Sequence, residues 1–456
     1  MTVICLVSQT RLQLEFIQEL FKTNVSNILM KNIQFDSIHI LLLCITTALL
    51  ILGDHKYLSL LLLIITISLI LHLESLKFNK QGKPLSVDED DKIIKNNGYV
   101  SVADFGAVGD GETDSTIAFQ QACIAAMKIG SVIIVPPSTK GYVLTSKIVI
   151  PQKCTLRGFN NGMRRGSVYG TRYGTILLIR FTGIAIEMSM NSTIEQIEFN
   201  YDVDLQSEIP EEYGSTIYIP DGSHGTTIRD IQCHLAYRFI DCHAECPTIS
   251  NIQGYPMKYG ITLHRVSDVP RISNIQFNPN VINGLLGTPI QKWVQNNGLA
   301  YVVKGAEEFF YSNIFCFGYN IGFLFPNKLP GEFTGVYGRV VNFGFDSCNY
   351  GIQTGSGGIS GRGVSFTNGG IIPLKIGVHF QDTVHSNADE EPLILLTSVT
   401  VWNFAGYSAG IWLEQKSKAK ILWNGGFLRD YEELIRHDSQ NGFVNFQSVI
   451  TNEGIQ

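Results

Sequence analysis

The side chains best suited to acid–base chemistry are acids and histidines that fall between positions 202 and 243. Carboxylates and imidazoles serve as general acids, general bases and nucleophiles in enzymes. The candidates are Asp202, Asp204, Glu208, Glu211, Glu212, His224, Asp230, His234, Asp241 and His243. Their density predicts that this region carries the functional site.

Sequence spacing suggests how these groups meet if the chain winds into stacked coils. If one coil extends from Asp202 to His224, the two side chains lie side by side on an outer face. The same reasoning pairs Asp204 or Glu212 with Asp230 or Asp241. The predicted catalytic residues are therefore Asp202, Asp204, Glu212, His224 and Asp241.

A second chemistry, β-elimination, needs a base for the proton next to a uronate carboxylate and a cation that neutralises that carboxylate. Arg238 and Arg265 supply such charge, and His243 and Trp293 complete the predicted substrate-binding set. No dedicated metal site is predicted. The chain has no dedicated calcium loop. Calcium is therefore expected only if the chain is a lyase, and Asp202, Asp204 or Asp241 would then hold it.

Two short phrases recur along the chain and indicate the coils themselves. Thr-Ile-x-x-Ile begins at Thr193, Thr227 and Thr248, and a variant begins at Arg271. The spacing of these phrases is typical of one solenoid coil each. Alternating apolar and polar residues mark short strands with one buried face, so stacked copies predict internal isoleucine ladders. The second phrase, glycine followed by an apolar residue, recurs at Gly260, Gly322, Gly351, Gly377 and Gly410.

Upstream of the repeats lies the run Val-Ala-Asp-Phe-Gly-Ala-Val-Gly-Asp-Gly-Glu-Thr-Asp at 102–114, followed by a helical pattern over 115–128. Asp114 or Ser115 is expected to cap the helix at its start and Gly130 at its end. Phe119, Ala122, Cys123 and Ala126 recur at helical spacing and predict one buried stripe.

This run resembles the first segment of the pectate-lyase superfamily, the rhamnogalacturonase and epimerase-like group that includes tailspike depolymerases. The resemblance implies an all-β, right-handed, single-stranded parallel β-helix that begins near Tyr99 and acts on polysaccharides. It also implies that the helix after the run closes the open end of the β-helix, which protects unpaired backbone groups of the first coil.

The polygalacturonase branch of that group carries further motifs, and this chain offers only fragments of them. Asn200-Tyr201-Asp202 matches the first motif, whereas Ser223-His224-Gly225 departs from Gly-His-Gly at its first residue. No Asp-Asp lies between them and no Arg-x-Lys follows. Polygalacturonase chemistry is therefore in doubt, although hydrolysis is still preferred over elimination.

The first hundred residues differ from the rest. An N-terminal segment at 1–37 precedes apolar runs at 38–52 and 57–73, which approach the roughly 17–25 residues that span a bilayer. Residues 38–73 predict a membrane hairpin, or a single anchor at 57–73. Lysines on both sides place both ends in the cytoplasm, which conflicts with an external glycan, so the side on which the β-helix lies stays open. A polar linker at 74–98 leads to the β-helix domain at 99–456.

Charge argues against nucleic acid as a partner, because the net charge is −6 and no Lys/Arg cluster stands out. The expected partners are a polysaccharide and a membrane. Trimers occur among tailspike relatives, but no trimerisation segment is evident in the sequence. Taken together, the sequence predicts a membrane-anchored, polysaccharide-cleaving β-helix. The rival interpretation is a glycan-binding or structural β-helix without catalysis, since the strongest motif builds the fold.

Overall fold

The computed structural model describes residues 98–159, 174–328, 336–355, 358–381, 392–402, 409–415, 417–440, 442–451 and 454–455. The N-terminal segment at 1–37, the predicted membrane segment at 38–73 and the linker up to residue 97 lie outside the described residues. Within the described ranges, none of the helices has the length and apolar character needed to cross a bilayer.

The described chain is built almost entirely of strands. The first ten are β1 (Tyr99–Ser101), β2 (Asp110–Asp114), β3 (Val132–Ile134), β4 (Gly141–Leu144), β5 (Ile148–Ile150), β6 (Thr155–Arg157), β7 (Ile176–Ile179), β8 (Ile186–Met188), β9 (Thr193–Glu195) and β10 (Glu198–Tyr201). The next nine are β11 (Ser215–Ile219), β12 (Thr227–His234), β13 (Arg238–Cys242), β14 (Thr248–Tyr255), β15 (Tyr259–Leu263), β16 (Arg271–Phe277), β17 (Leu299–Val303), β18 (Phe309–Phe317) and β19 (Ile321–Phe325). The last eight are β20 (Gly338–Thr354), β21 (Val364–Phe380), β22 (Leu393–Trp402), β23 (Ala409–Leu413), β24 (Lys420–Arg429), β25 (Glu433–His437), β26 (Phe443–Thr451) and β27 (Gly454–Ile455).

These strands pair in parallel, apart from the antiparallel β26–β27 pair. They form three sheets, and each sheet is a stack of strands from successive coils. Sheet 1 runs from β1 through β3, β6 and β9 into the first halves of the long strands that begin with β12. Sheet 2 runs from β2 through β4, β7 and β10 into the second halves of those strands. Sheet 3 runs from β5 through β8, β11, β13, β15 and β17 to β19. It continues through the last residues of β20 and β21 to β23 and β25. The predicted parallel β-helix is confirmed.

The bend between sheets 1 and 2 is made by one residue with positive φ in each coil. Asn251, Asn274, Asn313 and Asn342 have φ values of 55°, 57°, 55° and 55°. Asparagine tolerates this left-handed region better than most residues. Each side-chain amide of this asparagine ladder bonds to the ladder residue of the preceding coil, at 3.0–3.1 Å, and the ladder begins at Asp230. The central residues of the Thr-Ile-x-x-Ile phrase therefore set the bend.

Replacing Asn313 tests how much this ladder stabilises the fold. The N313A variant loses two side-chain hydrogen bonds and places alanine, which tolerates left-handed backbone less well than asparagine, at a φ of 55°. We therefore expect the free energy of unfolding to fall by about 2 kcal/mol. The N313G variant loses only the hydrogen bonds, and a loss of about 1 kcal/mol is expected. Guanidinium denaturation measures both values, and equal stability of wild type and N313A would contradict the ladder's role.

The interior is filled by the ladders that the sequence predicts. Ile194, Ile228, Ile249 and Ile272 occupy matched positions in successive strands of sheet 1 and are buried. From β16 onward, aromatic rings fill the interior, with Phe323 contacting the rings of its neighbours on several strands. The apolar core is therefore continuous along the solenoid.

The recurring glycines of the second phrase allow adjacent coils to approach closely in sheet 3. A Cβ atom on Gly260 would lie 2.2 Å from the carbonyl oxygen of Ala300, and one on Gly377 would lie 2.6 Å from that of Gly410. Such distances are not tolerated without a backbone shift. These glycines therefore serve coil packing.

Helix α1 (Thr116–Met127) closes the first coil, as the resemblance implies. Its buried stripe contains Phe119, Ala122, Cys123 and Ala126, and the helix packs on β1, β3 and β5. The Asp114 carboxylate accepts the amide hydrogen of Thr116 at 2.9 Å. At the other end the amide of Ser131 donates to Ala126, and Gly130 has a φ of 62°. Both predicted ends are confirmed.

Candidate functional site

The outer face of sheet 3 brings reactive side chains together where β11, β13 and β15 stack. Tyr218 on β11 is in register with Asp241 on β13, which is in register with Thr262 on β15. In each strand the flanking residues point into the core, so these positions face outward. His243 and His264 follow the ends of β13 and β15 by one residue. The surface therefore combines a phenol, a carboxylate and two imidazoles.

Asp241, His243 and His264 form a cluster that we call the His–Asp centre. The Oδ1 atom of Asp241 lies 2.9 Å from Nε2 of His264 and 3.4 Å from Nε2 of His243. The two imidazole rings stack with centroids 4.1 Å apart and planes 10° apart. Ser215 donates a hydrogen bond to the other carboxylate oxygen at 3.3 Å. The carboxylate is therefore held from both sides, beside half-buried rings.

The surroundings push the protonation states of this centre in definite directions. Burial favours the neutral carboxyl of Asp241, but the contacts with His243 and His264 outweigh it and place the pKa well below its usual range. Burial lowers the pKa of His264, although Asp241 opposes this effect. Burial, followed by the charges of Asp241, Glu187 and Asp221, raises the pKa of Tyr218. At neutral pH the His–Asp centre thus holds a carboxylate at Asp241 and a neutral imidazole at His264, and the neighbouring Tyr218 keeps its phenolic proton.

The lowered pKa of His264 predicts a pH dependence of stability. An unfolded histidine binds a proton below about pH 6.5, whereas the folded state keeps His264 neutral to lower pH. The unfolded state therefore binds more protons in this window, so stability falls as the pH drops from neutral toward the folded pKa. The H264Q variant lacks this group and should lose less stability. Denaturation midpoints at about pH 7 and about pH 5.5 measure the difference, and identical losses would contradict the prediction.

A second cluster, the aromatic corner, lies where β13 and β15 begin. It consists of Glu212, Tyr237, Arg238, Lys258, Tyr259 and Trp293. The guanidinium of Arg238 lies 4.6 Å from the ring centre of Tyr259. The rings of Tyr237 and Trp293 are 6.0 Å apart. Aromatic faces and cations on one surface are suited to sugar rings that carry acidic groups.

Contacts within the aromatic corner fix its side chains. The hydroxyl of Tyr237 donates to the Glu212 carboxylate at 2.9 Å; burial and then this bond raise the pKa of Tyr237 to about 12. Lys258 donates to the carbonyl of Asn297 at 2.9 Å. Burial, followed by the charge of Arg238, lowers the pKa of Lys258. Arg238 and Asp241 are three residues apart on β13, so the aromatic corner lies about 10 Å from the His–Asp centre.

Trp293 reaches the aromatic corner from a helix that lies between β16 and β17. Helix α2 (Pro289–Asn297) begins after Thr288, whose side chain accepts the amide hydrogen of Gln291. Proline at the first helical position supports this start. Ile290 and Val294 are buried, which holds the helix against the coils. The helix thus presents Trp293 next to Tyr237.

The structure separates the other predicted catalytic residues. Glu198 is in register with Gln232, so the coil that contains Asp202 is much longer than the stretch from Asp202 to His224. The prediction that these two residues stack is therefore wrong. Asp202 follows sheet 2 and pairs with Arg180 at 3.1 Å. His224 instead lies after β11, where its Nδ1 atom is 3.5 Å from a carboxylate oxygen of Glu245.

The remaining acids also have local partners. Asp204 accepts the amide hydrogen of Gln206 at 2.9 Å, which is a turn contact. Asp230 begins the asparagine ladder. The predicted approach of Asp204 or Glu212 to Asp230 or Asp241 is thus replaced by other contacts. Arg265 is exposed, with a φ of 50°, in the turn after β15.

Sequence reasoning missed His264 and Tyr218 on the outer face of sheet 3, and it missed Tyr237, Lys258 and Tyr259 in the aromatic corner. A usable signal existed in the step of the isoleucine phrase from Ile228 to Ile249. The same step carries His243 to His264, and the register of β13 with β15 has this offset. The coil length therefore had to be taken locally, from the nearest copies of the phrase, and not as one general value.

Comparisons with known proteins agree with the first segment of the fold. Residues 99–166 match the family described as rhamnogalacturonase A/epimerase, pectate lyase-like, which confirms the resemblance seen in the run at 102–114. The tail spike protein of Shigella phage Sf6 is 29% identical over 131 residues, which cover 26% of this chain and 21% of that protein. The matched stretch therefore spans about a fifth of the length of that relative.

Solved structures with a similar arrangement include an exopolygalacturonase from Thermotoga maritima, at 12% identity and a TM-score of 0.48, covering 82% of this chain and 97% of that one. A mannuronan C-5 epimerase A-module from Azotobacter vinelandii is 14% identical with a TM-score of 0.45, covering 76% and 99%.

Proposed function

We propose that this chain cleaves an acidic polysaccharide by β-elimination on the outer face of sheet 3. The observation that carries the proposal is the placement of an imidazole, a phenol and a carboxylate on one surface, beside a cationic aromatic corner. The match of residues 99–166 to a pectate lyase-like family supports a glycan as the target.

The proton transfers of β-elimination suit the groups at the His–Asp centre. The neutral imidazole of His264 accepts the proton from the carbon next to the uronate carboxylate. The bond from the adjacent carbon to the glycosidic oxygen breaks, a carbon–carbon double bond forms, and the Tyr218 phenol protonates the departing oxygen. Asp241 stabilises the imidazolium that forms and orients the ring.

The aromatic corner supplies the binding that this reaction needs. Arg238 at the start of β13 and Lys258 just before β15 carry positive charge, and the rings of Trp293 and Tyr259 offer surfaces for stacking on sugars. The corner lies about 10 Å from the centre, so it would bind the acidic group of a neighbouring sugar in a polymer that crosses both clusters.

Hydrolysis is the second candidate, and the sequence alone preferred it. Hydrolysis by two carboxyl groups needs one that keeps its proton and one that is ionised. Asp241, with its lowered pKa, fits only the ionised role. Elimination is preferred because the His264 imidazole and the Tyr218 phenol already lie beside Asp241 on the outer face of sheet 3.

Incubation of the full chain with a panel of neutral and acidic polysaccharides tests the proposal. New reducing ends and unsaturated-uronate absorbance are followed together. Both signals are expected to rise with uronate polymers only. Reducing ends without the absorbance would replace elimination by hydrolysis. Retained binding without either signal across the panel would favour a glycan-binding protein.

We also propose that residues 38–73 attach the chain to a membrane. The support is the composition of these residues, which form two apolar runs separated by a short polar break. Fractionation of cells that express the full chain, followed by alkaline carbonate washing, tests the proposal. Retention in the membrane pellet is expected, and release into the wash would contradict it.

A further inference from the structure

We propose that Asp241, His243 and His264 bind a first-row divalent transition-metal ion, with Zn²⁺ the preferred probe. The inference goes beyond the proposed cleavage, because it rests on ligand geometry and does not require that the chain act on a glycan. It concerns a different state of the same residues, since a bound ion would occupy groups that the cleavage uses. Each residue offers one ligand atom, and the three atoms lie within 4.8 Å of one another.

Distances between the ligand atoms match those around a small metal ion. Zinc binds imidazole nitrogen at about 2.0–2.1 Å and carboxylate oxygen at about 2.0–2.2 Å. Two ligands at such distances are about 2.9 Å apart at a right angle and about 3.4 Å apart at the tetrahedral angle. The Asp241 oxygen lies 2.9 Å from the His264 nitrogen and 3.4 Å from the His243 nitrogen. Two edges of the coordination polyhedron are therefore already in place.

A second observation also points to a ligand at this place. The Oδ1 atom of Asp241 is buried, yet within the described part of the chain no group forms a properly aligned hydrogen bond with it. The imidazole nitrogens of His264 and His243 lie 2.9 Å and 3.4 Å from this oxygen. Leaving a buried charged acceptor without an aligned donor costs free energy, and a bound cation would satisfy it.

The donor set selects the class of metal. Two imidazoles and one carboxylate favour zinc, cobalt or nickel over calcium and magnesium, which prefer all-oxygen sites. The side chains of His243, Asp241 and His264 are 32%, 22% and 23% exposed, so solvent reaches the cluster. A bound ion would therefore keep at least one position for water or for a ligand oxygen, as in sites with three protein ligands.

The stacked rings predict a movement on binding. The imidazole planes are 10° apart with ring centroids 4.1 Å apart. The nitrogen lone pairs lie in these planes, and two nearly parallel, offset planes do not meet at the position of one ion. Binding therefore tilts one ring out of the stack. His243 is the ring that moves, because it is the more exposed and the more distant from Asp241.

Titration of the full chain with Zn²⁺ after chelator treatment tests the site. The wild type is compared with D241N, H264A and the control H224A, whose imidazole pairs with Glu245 farther along the turn that follows β13. Loss of a ligand is expected to weaken zinc affinity at least as much as the roughly 100-fold that loss of an outer partner costs. H224A should bind as the wild type does. Thermal unfolding without metal shows whether each variant is folded.

A cobalt spectrum provides a measurement that is independent of affinity. Co²⁺ at the site should give visible absorption typical of bound nitrogen and oxygen ligands, which D241N and H264A lose and H224A keeps. Ca²⁺ in excess should not displace it. Equal zinc binding by the wild type and both folded variants, or displacement by Ca²⁺, would overturn the proposal. These measurements do not use cleavage, so the metal site and the proposed function can fail separately.

Discussion

Replacement of Asp241 by asparagine is expected to lower the rate of polysaccharide cleavage by about 10²–10⁴-fold. The amide keeps the size of the side chain but removes the charge that lies 2.9 Å from His264. Without that charge, the imidazolium formed when His264 accepts a proton is no longer stabilised, and the ring loses its orientation. The value of kcat at saturating uronate polymer, with reducing ends and absorbance followed together, measures the loss.

The D230N variant is the matched control for D241N. Asp230 lies in the same coil, also on a strand of the β-helix, but it accepts a hydrogen bond from Asn251 in the asparagine ladder. The D230N change gives position 230 the same side chain as the ladder positions of the following coils. It should therefore leave cleavage at the wild-type rate. Activity of D241N equal to that of the wild type, or equal losses in both variants, would rule out the assigned role of Asp241.

The fold could be predicted from the sequence because its determinants are local and repeated. Ile228 and Ile249 mark the buried face of successive strands, and the register confirms them as neighbours. The run at 102–114 and the helix after it likewise act through nearby residues. Each element needs only its own pattern and the adjacent coil, which is a property of solenoids.

The site was predicted less completely because it depends on the lengths of the insertions between strands. One coil extends from Glu198 to Gln232, whereas the step from Asp241 to Thr262 in sheet 3 is much shorter. A single spacing cannot serve both, so Asp202 was placed beside His224 although the two lie on different sides of the coil. Asp241 and His243 were identified as reactive, but their partner His264 needed the local register.

The aromatic corner shows a different limit. Arg238 and Trp293 were assigned to substrate binding from their chemistry, and they meet around Tyr237. Nothing in the local sequence joins them, because Trp293 arrives on helix α2, and the position of that helix is set by tertiary packing of Ile290 and Val294. Residue type thus indicated the role, while the contact itself depended on the fold.

Truncation of Phe323 to alanine is expected to have the largest effect on stability. Its ring is completely buried and contacts aromatic rings on neighbouring strands, with centroid distances of 5.2 Å to Tyr311 and 5.5 Å to Phe366. Loss of a buried phenylalanine ring costs about 3–5 kcal/mol, because apolar contacts are removed and a cavity is left. Guanidinium denaturation of the full chain measures the change in free energy of unfolding.

Phe427 provides the control, since its side chain is 37% exposed on the outer face. The F427A variant should lose less than about 1 kcal/mol, and a loss equal to that of F323A would contradict the assignment of the aromatic interior as the main source of stability.

Phe323 lies on β19, three strands beyond β13 along sheet 3. Because coils contact mainly their neighbours, folded F323A should retain the cleavage and zinc binding assigned to the Asp241 coil. Stability and chemistry are then carried by different coils of one solenoid, and each can be altered without the other.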